Sequence, residues 1–213
     1  MHCRQYSKRP ESVSARPAAI WPFVNSDSAT GDVSAKRVSR APGEPSPHRE
    51  PTEIRRTLAR NLRQAREAAG LSQRALAKAA FYNRTLLMDI EDNAANTTLD
   101  TIARLAKALG LTEIDLLLPN MGTDTLKRVS LAPEEPPSET EPTELRRRFA
   151  RNLRQVREAA GLPQRVLARA ADLGLARVWH IEVNAPNVTL DTVTLLAKQL
   201  GCTEIDLLRP KDP

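Results

Sequence analysis

The stretch NLRQAREAAGLSQRALAKAA at positions 61–80 returns at positions 152–171 as NLRQVREAAGLPQRVLARAA. Leu58, Leu62, Ala65 and Ala69 recur at helical spacing, and Gly70 supplies a stop. Ser72 is placed to cap a second helix whose inner face carries Leu76, Ala79 and Ala80. The repeated stretch therefore reads as two helices joined by a tight turn. The nine residues that follow it are FYNRTLLMD at 81–89 and DLGLARVWH at 172–180, which share no residue in register. One part of the repeat is held by packing, and the next part is free to change.

The repeat extends outward from this stretch. Adding 91 to any position from Pro51 to Pro119 lands on its counterpart between Pro142 and Pro210, and 44 of the 69 pairs are identical. Upstream, KRVS at 36–39 recurs at 127–130, so the duplicated unit includes part of its lead-in. Two copies are too few for a solenoid, which needs about three or more. The chain divides into a tail at 1–50, a first domain at 51–119, a Pro/Glu-rich segment at 120–141 and a second domain at 142–213. The tail is rich in Ser, Pro, Ala and Arg without periodicity and reads as disordered, with Trp21 and Phe23 as incidental aromatics. The segment 120–141 reads as an extended, disordered linker. Fully stretched it reaches roughly 70 Å at about 3.3 Å per residue. That exceeds the ~34 Å between successive major-groove faces, so two independent domains would fit side by side on one duplex.

Periodicity continues through each copy. Asn83 caps a third helix with Leu87 and Ile90 inside, and Thr98 caps a fourth carrying Ile102, Leu105 and Leu109 to Gly110. A short fifth helix spans Glu113 to Leu117 and stops at Pro119. The expected class is all-α, with two tandem five-helix domains. Aromatics make up only 3% of the chain, so Leu, Ala, Ile and Val must build the cores, as in small helical bundles.

Several functions are disfavoured. Cys3 and Cys202 lie far apart and suggest neither a disulfide framework nor a zinc site; Cys202 corresponds to Leu111 and reads as a small core residue. No run approaches about eighteen apolar residues, and the start of the chain lacks a secretory pattern. A cytoplasmic protein without membrane contact is expected. His2, His48 and His180 are scattered, and no glycine-rich phosphate loop, paired-carboxylate cleft or metal-ligand spacing is present. The chain is therefore read as a non-enzyme with no metal and no cofactor. Its balance, 32 Lys+Arg against 26 Asp+Glu, is compatible with nucleic acid.

The pattern GLSQRALAKAA…IEDN…TLDTIARLAKALGLTEIDLL resembles the phage-repressor type of helix-turn-helix domain, also called Cro-like or XRE-type. The resemblance covers 54–118 and 145–209. It implies lambda-repressor-like domains in which the second helix crosses the DNA backbone and the third lies in the major groove. Helix two is then Gln73 to Ala80 and the reading helix Arg84 to Asp92. In the second copy these are Gln164 to Ala171 and Leu175 to Val183.

Residue by residue, the resemblance implies that Arg66 and Glu91, and Arg157 and Glu182, tie helix one to helix three. Gln73 and Gln164 would bind phosphate, with Ser72 adding a hydroxyl that Pro163 lacks. Asn83, Arg84, Thr85 and Asp89 form the reading edge of copy one. Arg84 suits a guanine edge, Thr85 a thymine methyl, and Asp89 only an amino donor such as cytosine's. Copy two offers Leu175, Ala176 and His180 at the matching positions, with Arg165, Arg177 and Trp179 nearby. Ala94 and Ala95, and Ala185 and Pro186, stand where the family often has phosphate-neutralising cations. The arginines of helix one (Arg55, Arg56, Arg60 and Arg63, and Arg146 to Arg148, Arg151 and Arg154) read either as a solvated face or as backbone contacts.

The implied function is a sequence-specific DNA-binding transcriptional regulator acting as a covalent pseudo-dimer, with double-stranded DNA as partner. The alternative is a protein-interaction module on a repressor-like fold. Its support is an apolar, acid-bearing surface: Leu86, Met88 and Asp89 in copy one, and Leu175, Trp179 and Val183 in copy two. In a mixed case, domain two binds another protein while domain one reads DNA.

Overall fold

The computed structural model describes residues 50–132 and 141–210, which belong to one compact unit. The readings made for residues 1–49 and 133–140 lie outside the described residues. Copy one consists of α1 (Glu53–Ala68), α2 (Gln73–Ala79), α3 (Arg84–Glu91), α4 (Leu99–Ala108) and α5 (Glu113–Leu117). Helix α6 (Thr123–Arg128) follows. Copy two repeats the set as α7 (Glu144–Ala159), α8 (Gln164–Ala170), α9 (Leu175–Asn184), α10 (Leu190–Leu200) and α11 (Glu204–Leu208). The described residues contain no strand, and the fold is the expected all-α pair.

Local chemistry sets these boundaries. Ser72 Oγ accepts the Ala75 amide at 3.1 Å, and Asn83 Oδ1 accepts the Leu86 amide at 2.8 Å, so α2 and α3 begin where their side-chain caps stand. Thr112 and Asp115 close a capping box on α5 that Thr203 and Asp206 repeat on α11. Between the first two helices of each copy, Gly70 and Gly161 both take a φ of +65°, a left-handed turn that a side chain would strain.

Leu58, Leu62 and Ala65 of α1 are buried with Leu76, Leu87, Ile102, Leu105 and Leu116. Polar residues enter this core as well. Asn61, 1% exposed, donates its amide to the carbonyls of Leu116 at 3.1 Å and Leu118 at 2.7 Å. Asn152 does the same for Leu207 at 3.1 Å and Arg209 at 2.9 Å. Each asparagine thus satisfies carbonyls that the end of a short helix leaves unpaired. Asn61→Ala is expected to cost about 1–3 kcal/mol, because those buried acceptors lose their donor. A urea midpoint near that of the unmodified chain would show that water replaces the amide.

The two copies dock on each other rather than lying apart on an extended tether. Thr98 and Thr189, counterparts across the repeat, form an antiparallel bridge. The Leu99 amide donates to Val188 O at 3.0 Å, and reciprocally the Leu190 amide donates to Thr97 O at 2.9 Å. Asn187 Oδ1 accepts the Asp100 amide at 3.2 Å, and Asn96 Oδ1 accepts the Asp191 amide at 3.3 Å. Each of these bonds recurs with the copies exchanged, which is the signature of a twofold, self-complementary interface. Helices α5 and α11 meet across it, and the buried apolar residues of both copies form one contiguous cluster.

The segment read as an extended linker is structured where it is described. After α6, Ser130 donates its amide to Leu109 O at 3.2 Å and Ala132 to Ala108 O at 3.1 Å. Met121 and Val129 pack against the core. Its six-residue helix is too short to show helical periodicity in the sequence. Among the described residues no helix is long and apolar enough to cross a membrane.

Candidate nucleic-acid interface

In each copy one buried carboxylate holds three helices together. Glu91 on α3 accepts Arg66 Nε at 2.7 Å and Arg66 Nη2 at 3.1 Å, a bidentate pair with α1. Gln73 on α2 donates its Nε2 to the same carboxylate at 2.9 Å. In copy two, Glu182 accepts Arg157 Nε at 2.6 Å, Arg157 Nη2 at 2.8 Å and Gln164 Nε2 at 2.8 Å. Hydrogen bonding to Glu91 and Glu182 raises the pKa of Arg66 and Arg157 above the ordinary guanidinium value, against the opposing effect of burial. These arginines are charged clamps that orient the reading helix.

The glutamine geometry bears on phosphate binding. A primary amide carries two N–H groups, and Glu91 takes one of them from Gln73. The other remains for an acceptor outside the core. Ser72 likewise accepts the Ala75 amide through its oxygen and keeps its own proton to donate. Pro163 at the start of α8 and Gly174 at the start of α9 provide no side-chain cap.

On α3, Leu87, Ile90 and Glu91 face inward, while Arg84, Thr85, Met88 and Asp89 are exposed and Asn83 stands exposed at its cap. On α9, Val178 and Ile181 face inward, while Leu175, Ala176, Arg177, Trp179 and His180 are exposed. Arg165 is exposed on the neighbouring α8. The structure thus places every proposed reading residue on an outer face. His180 Nδ1 lies 2.6 Å from the Asn184 amide nitrogen, which in the neutral ring assigns the proton to Nε2. Helix α9 runs to Asn184, past the Glu91-equivalent end of α3, and the left-handed residue moves from Asn93 (φ +62°) to Ala185 (φ +45°).

Five arginines of the first helices, Arg56, Arg60, Arg63, Arg151 and Arg154, lie on an exposed face, whereas Arg55, Arg146 and Arg148 are drawn into the contact between the copies. Arg55 donates to Asn93 O at 2.7 Å in its own copy and reaches Asp191 across the interface at 3.4 Å. Arg146 donates to Ala185 O at 2.6 Å and reaches Asp100 at 3.1 Å. Arg148 faces Glu113 across the interface at 3.8 Å. Arg60 donates to Pro119 O at 2.8 Å, and Arg63 pairs with Asp92 at 3.1 Å. Arg151 pairs with Glu144 and Arg154 with Glu158. Arg74, Arg84, Arg165, Arg169 and Arg177 are exposed and make no ion pair among the described residues, so uncommitted positive charge flanks α3 and α9.

Both copies match helix-turn-helix families. Residues 57–117 match a family model described as a helix-turn-helix domain, and residues 153–207 match a second helix-turn-helix model. A hypothetical transcription factor from Neisseria meningitidis serogroup B is 34% identical over 88 residues, covering 41% of this chain and 83% of that protein. The chain belongs to the helix-turn-helix family. Control protein C.SmaI of Serratia marcescens is 39% identical over 70 residues, covering 33% of this chain and 82% of that protein. A crystal structure of the hypothetical transcription factor from Neisseria aligns at 33% identity with a TM-score of 0.31, over 37% of this chain and 86% of that one. Each relative matches a stretch about one domain long. The chain is a DNA-binding regulator of the Cro-like, XRE type with two helix-turn-helix domains in tandem.

Proposed function

We propose that the chain is a sequence-specific transcriptional regulator that binds double-stranded DNA as a covalent pseudo-dimer, with α3 and α9 in successive major grooves. The observation that carries this reading is the reciprocal docking through Thr98 and Thr189. Helix-turn-helix proteins that bind as dimers use twofold symmetry to set half-site spacing. Here one chain supplies both heads, so no second chain has to be recruited and the second head binds at high effective concentration. The two reading faces differ, which favours an operator with unlike halves. Such a role places the chain in the cytoplasm with the DNA it reads.

Phosphate contact in this reading falls to Ser72, Gln73, Gln164 and Arg165, and base reading to Arg84, Thr85 and Asp89 in copy one. Arg84→Glu tests the assignment. It is expected to weaken duplex binding about a hundredfold, the loss of a bidentate base contact together with repulsion of phosphate. Arg84 is exposed, so the circular dichroism spectrum should be unchanged. Full affinity in this variant would remove Arg84 from the interface. Sedimentation of the complex is expected to show one chain per duplex; two chains would place the dimer axis elsewhere.

One observation favours the second reading, in which domain two binds protein. Leu175, Trp179 and Val183 are each at least half exposed on α9. Exposed apolar clusters of this kind mark binding surfaces. Under that reading the chain would protect a single half-site.

A further inference from the structure

The outer face of α9 carries Leu175, Trp179 and Val183 at exposures of 53%, 50% and 56%. Their i, i+4, i+8 spacing sets them on one line about 12 Å long. Ala176 lies beside this line, and the counterparts on α3 are Arg84, Met88 and Asp92, with Thr85 opposite Ala176. The rim of the stripe is basic: Arg165, Arg169 and Arg177 are exposed and make no ion pair among the described residues. The acids of α8, α9 and their turn are Asp172, which is exposed, and Glu182, which is bound to Arg157.

An apolar line with a cationic rim fits a surface that is anionic at its edges and carries methyl groups between them. In a DNA major groove the apolar features are the C5-methyl groups of pyrimidines, flanked by phosphates. Leu, Ala and Val have no donor or acceptor and can distinguish base pairs there only by those methyls. The docking makes α9 the counterpart of α3, and residues at the start of a reading helix are those that touch base edges. We infer that copy two reads pyrimidine C5-methyl groups, with Leu175 and Ala176 as the residues that set its specificity and Trp179 packing one turn further along. This inference rests on the DNA-reading function proposed above.

The test starts from duplexes retained by the full chain from a random pool. Synthetic copies are made with deoxyuridine in place of thymidine in the half-site facing α9, which removes only the methyls. The expected result is binding about fourfold weaker for each contacted methyl removed. In the Leu175→Asn, Ala176→Asn double variant, whose changes lie on an exposed face, the thymine and uracil duplexes are expected to bind equally. Replacing cytosine by 5-methylcytosine at positions facing α9 separates the two sources of the group: tighter binding extends the reading to methylated cytosine, and no change confines it to thymine. In a Trp21→Phe background Trp179 is the one remaining tryptophan, and its emission should shift on binding the thymine duplex more than the uracil one. Tight binding that ignores the methyls would overturn the inference and leave the DNA-reading function standing. Retention of no duplex at all would overturn both.

Discussion

Replacing Asp100 and Asp191 together with arginine is expected to part the two heads and to weaken binding to a two-half-site duplex about a hundredfold. Each aspartate receives two groups from the opposite copy. Asp100 accepts Thr143 Oγ1 at 2.8 Å and Arg146 Nη1 at 3.1 Å; Asp191 accepts Thr52 Oγ1 at 3.3 Å and Arg55 Nη1 at 3.4 Å. The side chains of Arg55, Asp191, Arg146 and Asp100 are 9%, 19%, 18% and 17% exposed, so water screens them poorly. Charge reversal would set arginine against arginine at both ends of the interface. Repulsion of that kind costs far more than a lost surface pair. The intervening segment would still tether the heads, so the loss reflects the difference between rigid docking and a flexible tether. Small-angle scattering should show an expanded particle with unchanged helical content. Heads that separate without loss of affinity would mean that DNA binding does not use the docked geometry.

The second large effect concerns the carboxylate clamp. Arg66→Met is expected to cost about 3 kcal/mol of stability, because the Glu91 side chain, 0% exposed, would keep its charge without its bidentate partner. Gln73 and Arg63 remain beside the carboxylate at 2.9 and 3.7 Å, which places the cost at the lower end for broken buried pairs. The Arg66→Met, Glu91→Met double variant should recover much of that loss, since an apolar pair of similar volume replaces a buried ion pair at little cost. The same cycle on Arg157 and Glu182 should give a similar coupling. Guanidinium midpoints of the four chains measure it. Equal stability of the Arg66→Met variant and the unmodified chain would show that Glu91 is solvated or protonated once its partner is gone.

Helices α2 to α5 were legible in the sequence because a capping side chain marks the start of each: Ser72, Asn83, Thr98 and Thr112 stand at their N-caps. The bounds that the family resemblance implies for α2, α3, α8 and α9 hold to within one residue. The exposed faces of the reading helices were legible for the same reason, since Leu87 and Ile90 fix which side of α3 turns inward. The docking was not legible. Its bonds come from the backbone at Thr97 and Leu99 and from residues whose types are ordinary at helix ends. Asp100 looks like an acid favouring a helix N-terminus, and Arg55 looks like part of a solvated face. The available signal was weaker: Thr52, Arg55, Asn96, Thr98 and Asp100 are all identical in the two copies, although several sit near a surface. Residues kept in both copies without a core role are what a self-complementary interface requires. The ion pairs of Arg148, Arg146 and Arg55 were not legible because their partners, Glu113, Asp100 and Asp191, belong to the opposite copy.

In the function proposed, one chain presents two unlike reading helices at a fixed separation. Selection of random duplexes by the full chain, with sequencing of those retained, tests it most directly. The expected result is an enriched motif of two different half-sites at one constant spacing. Two half-sites at variable spacing would mean that the heads bind as independent beads, and a single half-site would mean that α9 does not read DNA.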